Sequence, residues 1–195
     1  LVSSPGPGEG KSTTISNLAI TYANLGKKTL LVDTDLRKPV VHKIFNSNRD
    51  LGLTNLIIDQ KIKDEDCISK TSIKNLSIIS SGIIPPNPSE LLESKAINTI
   101  INNLKKKFDI ILFDSPPLVA VTDAFIMSKL VDHFILVIRP GTTKKTALDI
   151  SMKRSSQLDS SINGIVINGI TESNSYGYGY YNYYSAYYAE EDNQT

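Results

Sequence analysis

One cysteine in 195 residues, Cys67, excludes an internal disulfide framework and fits a reducing compartment. It stands between Asp66 and Ile68 with no base beside it, so it reads as a structural thiol rather than a nucleophile. No apolar run approaches the roughly 18 residues that would span a bilayer, and no secretory signal is visible. An excess of one charge is missing too. With 21 Lys+Arg against 20 Asp+Glu the formal net charge is +1, which gives no footprint for nucleic acid. There is no initiating Met, and only Leu1-Val2 stand where a full buried strand would precede the first motif, so a segment of a longer protein is expected. Apolar residues make up 40% of the chain, enough for the core of one α/β domain.

What is present begins at once. Pro5-Gly6-Pro7-Gly8-Glu9-Gly10-Lys11-Ser12-Thr13 reads as a phosphate-binding loop. Gly8 and Gly10 leave backbone N–H groups free to converge on phosphate oxygens, Lys11 reaches the β/γ-phosphates, and the Ser12 hydroxyl suits Mg²⁺. Pro5 stands where the usual pattern has its first glycine. Residues 11–25 follow as an amphipathic helix with Ile15, Leu18, Ala19, Tyr22 and Ala23 on one face and Gly26 at its end. Phosphates bound here would sit at a helix N-terminus, where the dipole favours anions.

Two acidic segments complete the pattern. Leu30-Leu31-Val32-Asp33-Thr34-Asp35-Leu36-Arg37 is a buried strand ending in two carboxylates two residues apart, which point to one side if extension continues. Ile110-Ile111-Leu112-Phe113-Asp114 is a second apolar strand ending in Asp. At the C-terminal edge of a parallel sheet these groups line the ligand crevice. There they suit holding Mg²⁺ through its waters, or taking a proton from an attacking hydroxyl. Arg37 and Lys38 could stabilise phosphoryl charge, anchor a neighbouring subunit, or pair with Asp33 or Asp35. Asp123 reads as a helix N-cap, or as a polar support of the site. Asn168 reads as a donor to a nucleobase edge, or as a plain turn residue. His42 and His133 show no ligand spacing and read as packing or surface residues.

Short apolar runs at Thr29–Val32, Leu76–Ile79, Ile110–Phe113, Phe134–Ile138 and Ile162–Ile167 alternate with helical patterns, which predicts an α/β fold with a largely parallel sheet covered on both faces. One helix is expected from Asn87, with Pro88 in its first turn and Glu90 completing a capping box. Leu91, Leu92, Ile97, Ile100, Ile101 and Leu104 supply its buried face, and Lys105-Lys106-Lys107 read as a solvated end, or as a contact for anionic lipid or a partner. Composition changes after Ile170. Eight of the nine tyrosines lie from Tyr176 to Tyr188 in a stretch without Val, Ile, Leu or Met, expected as a flexible tail.

Together these residues resemble the bacterial tyrosine kinases of capsule and exopolysaccharide synthesis, the BY-kinases, over nearly the whole chain. The likeness rests on Pro7–Thr13 as Walker A and on Leu31-Val32-Asp33-Thr34-Asp35-Leu36-Arg37-Lys38-Pro39 as Walker A′. It rests equally on Pro85-Pro86-Asn87-Pro88-Ser89-Glu90-Leu91-Leu92, on Ile110–Asp114 with Ser115-Pro116-Pro117 as Walker B, and on the tyrosine cluster. The resemblance implies a P-loop kinase domain over 1–172 and an autophosphorylation tail over 173–195. It implies ATP bound through Gly8, Glu9, Gly10, Lys11, Ser12, Thr13 and Asn168, and Mg²⁺ organised by Ser12, Asp33, Asp35 and Asp114. Lys11, Asp33, Asp35 and Asp114 would be catalytic, one of Asp33 and Asp35 deprotonating the incoming tyrosine. The phosphoacceptors would be Tyr176, Tyr178, Tyr180, Tyr181, Tyr183, Tyr184, Tyr187 and Tyr188, reached between subunits of a homo-oligomer. The implied partners are a transmembrane chain-length regulator, fused or separate, and a tyrosine phosphatase; the implied location is the cytoplasmic membrane face. Two other readings share parts of the pattern. A partition or septum-positioning ATPase would carry Lys where this chain has Gly6 and would lack the tyrosines. A nucleotide-bound adhesive module would not need the acidic pair.

Overall fold

The computed structural model describes residues 1–59 and 61–170; the expected tyrosine tail lies outside them. In chain order the elements are β1 (Val2–Ser3), α1 (Lys11–Asn24), β2 (Thr29–Asp33), α2 (Val41–Ile44), α3 (Leu53–Ile58), α4 (Asp64–Cys67), β3 (Ile68–Lys70) and β4 (Leu76–Ile79). They continue with α5 (Pro88–Glu93), α6 (Lys95–Leu104), β5 (Ile110–Asp114), α7 (Asp123–Ser128), β6 (Ile135–Ile138), α8 (Lys145–Gln157) and β7 (Gly164–Ile167). Seven strands form one sheet in the order β3-β4-β2-β5-β1-β6-β7, parallel throughout except for β3, which runs antiparallel on the outer edge of β4.

The two-residue alternation along β2 builds both halves of the core. Leu30 and Val32 face a cluster with Leu92 of α5, Ile97, Ile101 and Leu104 of α6, and Phe125 of α7. Leu31 faces the other way, onto Ile15, Ala19 and Ala23 of α1 and Val41 of α2. Each fully buried aliphatic side chain contributes about 1.5–3 kcal/mol of transfer free energy, so the expected two-sided covering is also the main source of stability.

The structure departs from expectation in identifiable places. β3 has no apolar run to announce it; it is a three-residue edge strand. β1 (Val2–Ser3) is paired on both sides, by β5 and β6. Leu18 and Tyr22 lie at the margin of the α1 face and are only partly buried, whereas Ser16 is buried. The single helix expected from Asn87 is two, broken at Ser94, whose ψ is 155°. The break has a geometric cause. Five residues separate Leu92 from Ile97, about 140° off a common face at 100° per residue, and the break lets both enter the core; Leu91 stays half-buried. The expected capping box is not formed: the Asn87 side chain makes no cap bond, and its Nδ2 donates to Glu90 Oε2 at 2.5 Å. The lysine run is exposed, as expected, with Lys107 paired to Asp64 and Glu65.

Candidate active site

The loop from Ser4 to Gly10 is held from several sides. Leu118 N–H donates to Ser4 O (2.9 Å) and Val119 N–H to Pro5 O (3.1 Å), which ties the loop to the segment after β5. Ser4 Oγ donates to Gly6 O (2.7 Å), and Gly6 N–H donates to Glu9 Oε2 (3.0 Å), so the buried Glu9 carboxylate is spent inside the loop. Asn168, just past β7, donates from Nδ2 to Glu9 O at 2.9 Å. Its amide therefore braces the loop, an interaction that sequence reading missed because the partner is a backbone carbonyl 159 residues away. Gly10 is the N-cap of α1 with φ +91°, and the first intrahelical bond runs from Thr14 N–H to Gly10 O. The preceding amides have no acceptor within the helix and remain for an anion.

Gly10 is also where the loop tolerates least. A Cβ there would stand 2.0 Å from Asn168 Nδ2, on a backbone that L side chains rarely adopt. Gly10→Ala is expected to cost about 2–4 kcal/mol of stability from strain and displaced packing and to abolish nucleotide binding. Thermal melts and titration with a fluorescent ADP analogue check this; a variant that melts and binds like the wild type would show that the loop does not need this geometry.

Sheet register then assembles the acids. Asp33 pairs directly with Asp114 across β2 and β5. Lys11 Nζ lies 3.4 Å from Asp35 Oδ2 and 3.4 Å from Asp114 Oδ1, and donates to Ser12 Oγ at 2.9 Å. Asp33 and Asp35 play different parts. Both Asp33 oxygens accept backbone amides: Oδ1 from Asp35 (3.2 Å), Oδ2 from Val40 (3.1 Å) and Val41 (3.0 Å). Asp35 takes the amides of Arg37 (3.3 Å) and Lys38 (2.9 Å) on Oδ1 alone, which leaves Oδ2 toward Lys11. Asp114 Oδ2 is buried with no hydrogen-bond partner.

One lysine faces three carboxylates here. Burial, and after it the Asp114 carboxylate, push Asp33 up to about 7, against the opposing Val41 amide. Burial raises Asp114 as well, opposed chiefly by Lys11. A carboxyl whose folded pKa exceeds its unfolded value binds more protons when folded, so its contribution to stability is full below about pH 4 and is lost as pH rises through about 7. Wild-type unfolding free energy in urea should therefore fall more steeply from pH 4 to 7 than that of Asp33→Asn. Parallel profiles would remove Asp33 as the titrating group.

The donor set fits Mg²⁺ and a nucleotide phosphate. Ser12 and the carboxylates offer hard oxygens, Asp114 Oδ2 has no partner of its own, and Lys11 is the nearby cation. Among the described residues no cluster of three His, Cys, Asp or Glu side chains suffices to hold a metal alone.

Arg37 does not pair with Asp33 or Asp35: its Nε donates to Asp123 Oδ2 (3.0 Å) and its Nη2 to Asp123 Oδ1 (3.3 Å) and to Ser89 Oγ (3.1 Å). Asp123 is not the N-cap of α7; Thr122 is, and Asp123 is the first helical residue, fully buried, also accepting from Ser89 Oγ at 2.7 Å. Lys38 contributes its amide while its side chain is exposed. Cys67 is buried, and burial pushes its thiol up to about 11, as suits an inert packing residue. His42 sits at the start of α2, its pKa lowered by burial and by Arg49 and Lys43, and His133 is exposed. All eight candidate phosphoacceptor tyrosines lie outside the described residues.

Residues 3–163 match a family model described as an AAA domain. The tyrosine-protein kinase YwqD of Bacillus subtilis is 40% identical over 181 residues, covering 93% of this chain and 76% of that protein. The chain belongs to the bacterial tyrosine-protein kinases. Among solved structures, the kinase domain of the Escherichia coli tyrosine kinase ETK superposes on this member of the family with a TM-score of 0.84. The identity is 30%, over 92% of this chain and 70% of that one. The septum site-determining protein MinD of Pyrococcus horikoshii, complexed with Mg-ADP, gives a TM-score of 0.70 at 26% identity over 89% and 71% of the two chains. The fold is thus shared between a tyrosine kinase domain and a septum site-determining protein that binds Mg-ADP.

Proposed function

We propose that this kinase transfers the γ-phosphoryl group of Mg·ATP to the tyrosines of its own C-terminal cluster. The observation that carries the reading is Lys11, held between Asp35 and Asp114 at the head of the loop helix, with an unpartnered Asp114 oxygen beside it. Phosphoryl transfer asks mainly for positioning and charge neutralisation, and these groups supply both. Magnesium, when bound, neutralises phosphate charge. Ser12 and Asp114 are the side chains that would hold it and its waters, and Lys11 would leave the carboxylates for the phosphate oxygens. Asp35, whose Oδ2 is released when Lys11 turns to phosphate, accepts the tyrosyl proton as the phosphorus–oxygen bond to tyrosine forms and the bond to ADP breaks. Asp33 pins the turn through its three amides. Residues 1–172 are then the kinase domain and 173–195 the acceptor.

Transfer between molecules, which the family resemblance implies, is part of the same proposal. Mixing Lys11→Met protein that carries its tail with active protein truncated before residue 173 tests this: label is expected on the inactive partner, and its absence refutes transfer in trans.

The family resemblance extends the proposal to control of capsular or exopolysaccharide synthesis. It adds a transmembrane chain-length regulator as activator, a phosphatase that resets the tail, and residence at the cytoplasmic membrane face. No helix among the described residues is long and apolar enough to cross a membrane, so attachment would come through the regulator or through sequence outside them. The tail carries −3 from Glu190, Glu191 and Asp192, and each phosphotyrosine adds about −1.5 to −2. Phosphorylation is therefore proposed to loosen the oligomer. The ATPase-switch reading is weaker because Gly6 stands where such switches carry a lysine.

A further inference from the structure

Arg37, Ser89 and Asp123 come from three segments that the sequence treats as separate: the turn after Asp35, the start of α5 and the start of α7. In the structure they meet. The Asp123 carboxylate is fully buried and accepts three bonds, two from the Arg37 fork and one from Ser89, and Arg37 also donates to Ser89. A buried carboxylate satisfied in this way is costly to release, because an unpaired charge would remain in a low-dielectric site. The ends of this cluster matter. Arg37 stands two residues after Asp35, and its own amide, with that of Lys38, is what occupies Asp35 Oδ1. Asp123 stands on the connection that leaves Asp114, and that connection is bound to the phosphate loop through Leu118 and Val119. Arg154 adds to this anchoring by donating from Nη1 to Leu118 O (3.0 Å) and Val119 O (3.1 Å).

We propose that Arg37, Ser89 and Asp123 form a positioning clasp that closes the turn after Asp35 onto the connection after Asp114, and so holds the open Asp35 oxygen at its place opposite Lys11. None of the three needs to touch substrate. The clasp acts on Asp35 through two backbone amides and sets the separation of the two carboxylates that flank the lysine. It also gives a physical reason for the Ser in Asn87-Pro88-Ser89-Glu90 and for the Asp in Thr122-Asp123-Ala124, which the phosphate site alone does not use.

The clasp rests on the phosphotransfer reading of the site, so its test has one arm with activity and one without. In the first, Arg37→Met and Asp123→Asn are expected to lower kcat about 100-fold, the loss typical of a small misplacement of a reacting group. Ser89→Ala and Arg37→Lys should lose about tenfold, since each keeps part of the fork. KM for ATP should stay within about threefold throughout. The double variant Arg37→Met/Asp123→Asn should be no worse than the poorer single, as for residues acting as a unit. Wild-type kcat in Asp123→Asn or Ser89→Ala would overturn the clasp, because Arg37 would then act alone; so would additive losses, or losses seen only in KM. In the second arm, amide hydrogen exchange on the full chain should be about tenfold faster at Arg37 and Lys38 in Ser89→Ala, and unchanged in β5. Unchanged exchange at those two amides would overturn the clasp whatever the activity. If instead the wild type transfers no phosphate while these amides respond as stated, the clasp stands and the phosphotransfer reading fails.

Discussion

Lys11→Met is expected to lower phosphotyrosine formation by about 10³-fold or more, on the scale of losing a principal electrostatic contact to the transferring group. The side chain lies between two carboxylates rather than in either apolar cluster, so the fold should survive. It will not survive unchanged. Removing the cation that pairs with Asp35 and Asp114 leaves carboxylates of which Asp33 and Asp114 are already raised by burial, and breaking such buried pairing costs about 3 kcal/mol at neutral pH. Protonation relieves the cost. Raised folded pKa values confer stability at low pH that is lost as pH rises, so the melting temperature of Lys11→Met should fall further below wild type at pH 8 than at pH 5. Quantitative phosphotyrosine detection and melts at the two pH values check this. A variant that still labels itself with ATP would remove Lys11 from the chemistry, and an equal melting deficit at both pH values would remove the charge cluster as its cause.

The second large effect separates Asp35 from Asp33. Asp35→Asn retains a side chain able to accept the Arg37 and Lys38 amides but removes the open carboxylate oxygen. It is expected to lower kcat by about 10²–10⁴-fold, the range of a lost proton acceptor, with ADP affinity changed by less than about threefold. Asp33→Asn should act differently. An Asn cannot accept on both ends, so the amides of Asp35, Val40 and Val41 cannot all keep their partners. The loss of about 1–3 kcal/mol per orphaned amide falls on stability and on the whole turn. Rate measurements, nucleotide titration and urea unfolding on both variants distinguish them. Equal losses in rate and affinity for the two would sink this division of labour.

Much of the site was legible in the sequence because its chemistry is local. Gly8-Glu9-Gly10-Lys11-Ser12 is contiguous, and its geometry follows from two glycines at positive φ and a helix start. Asp33 and Asp114 close the apolar runs of β2 and β5, so their place at the strand ends needed no tertiary information. Arg37 was legible as a basic residue beside the acids, but its partner was not. Asp123 lies 86 residues away, nearer candidates stood in sequence, and nothing in spacing distinguishes a buried acceptor from a helix cap. Asn168 was read toward a base edge or a plain turn, whereas in the fold its amide nitrogen meets a loop carbonyl.

Short apolar runs alternating with helical patterns determined the largely parallel sheet and its two coverings, because a strand buried on both faces is apolar throughout and a covering helix is apolar on one face. Motif chemistry determined the nucleotide loop and the three acids. The tertiary structure alone decided the register that sets Asp33 beside Asp114, the split of α5 from α6 at Ser94, the antiparallel edge β3, and the joining of Arg37, Ser89 and Asp123. Each of these depends on which distant group is available to satisfy a buried polar atom or an apolar face. That partner is chosen by packing in three dimensions rather than by neighbours in sequence.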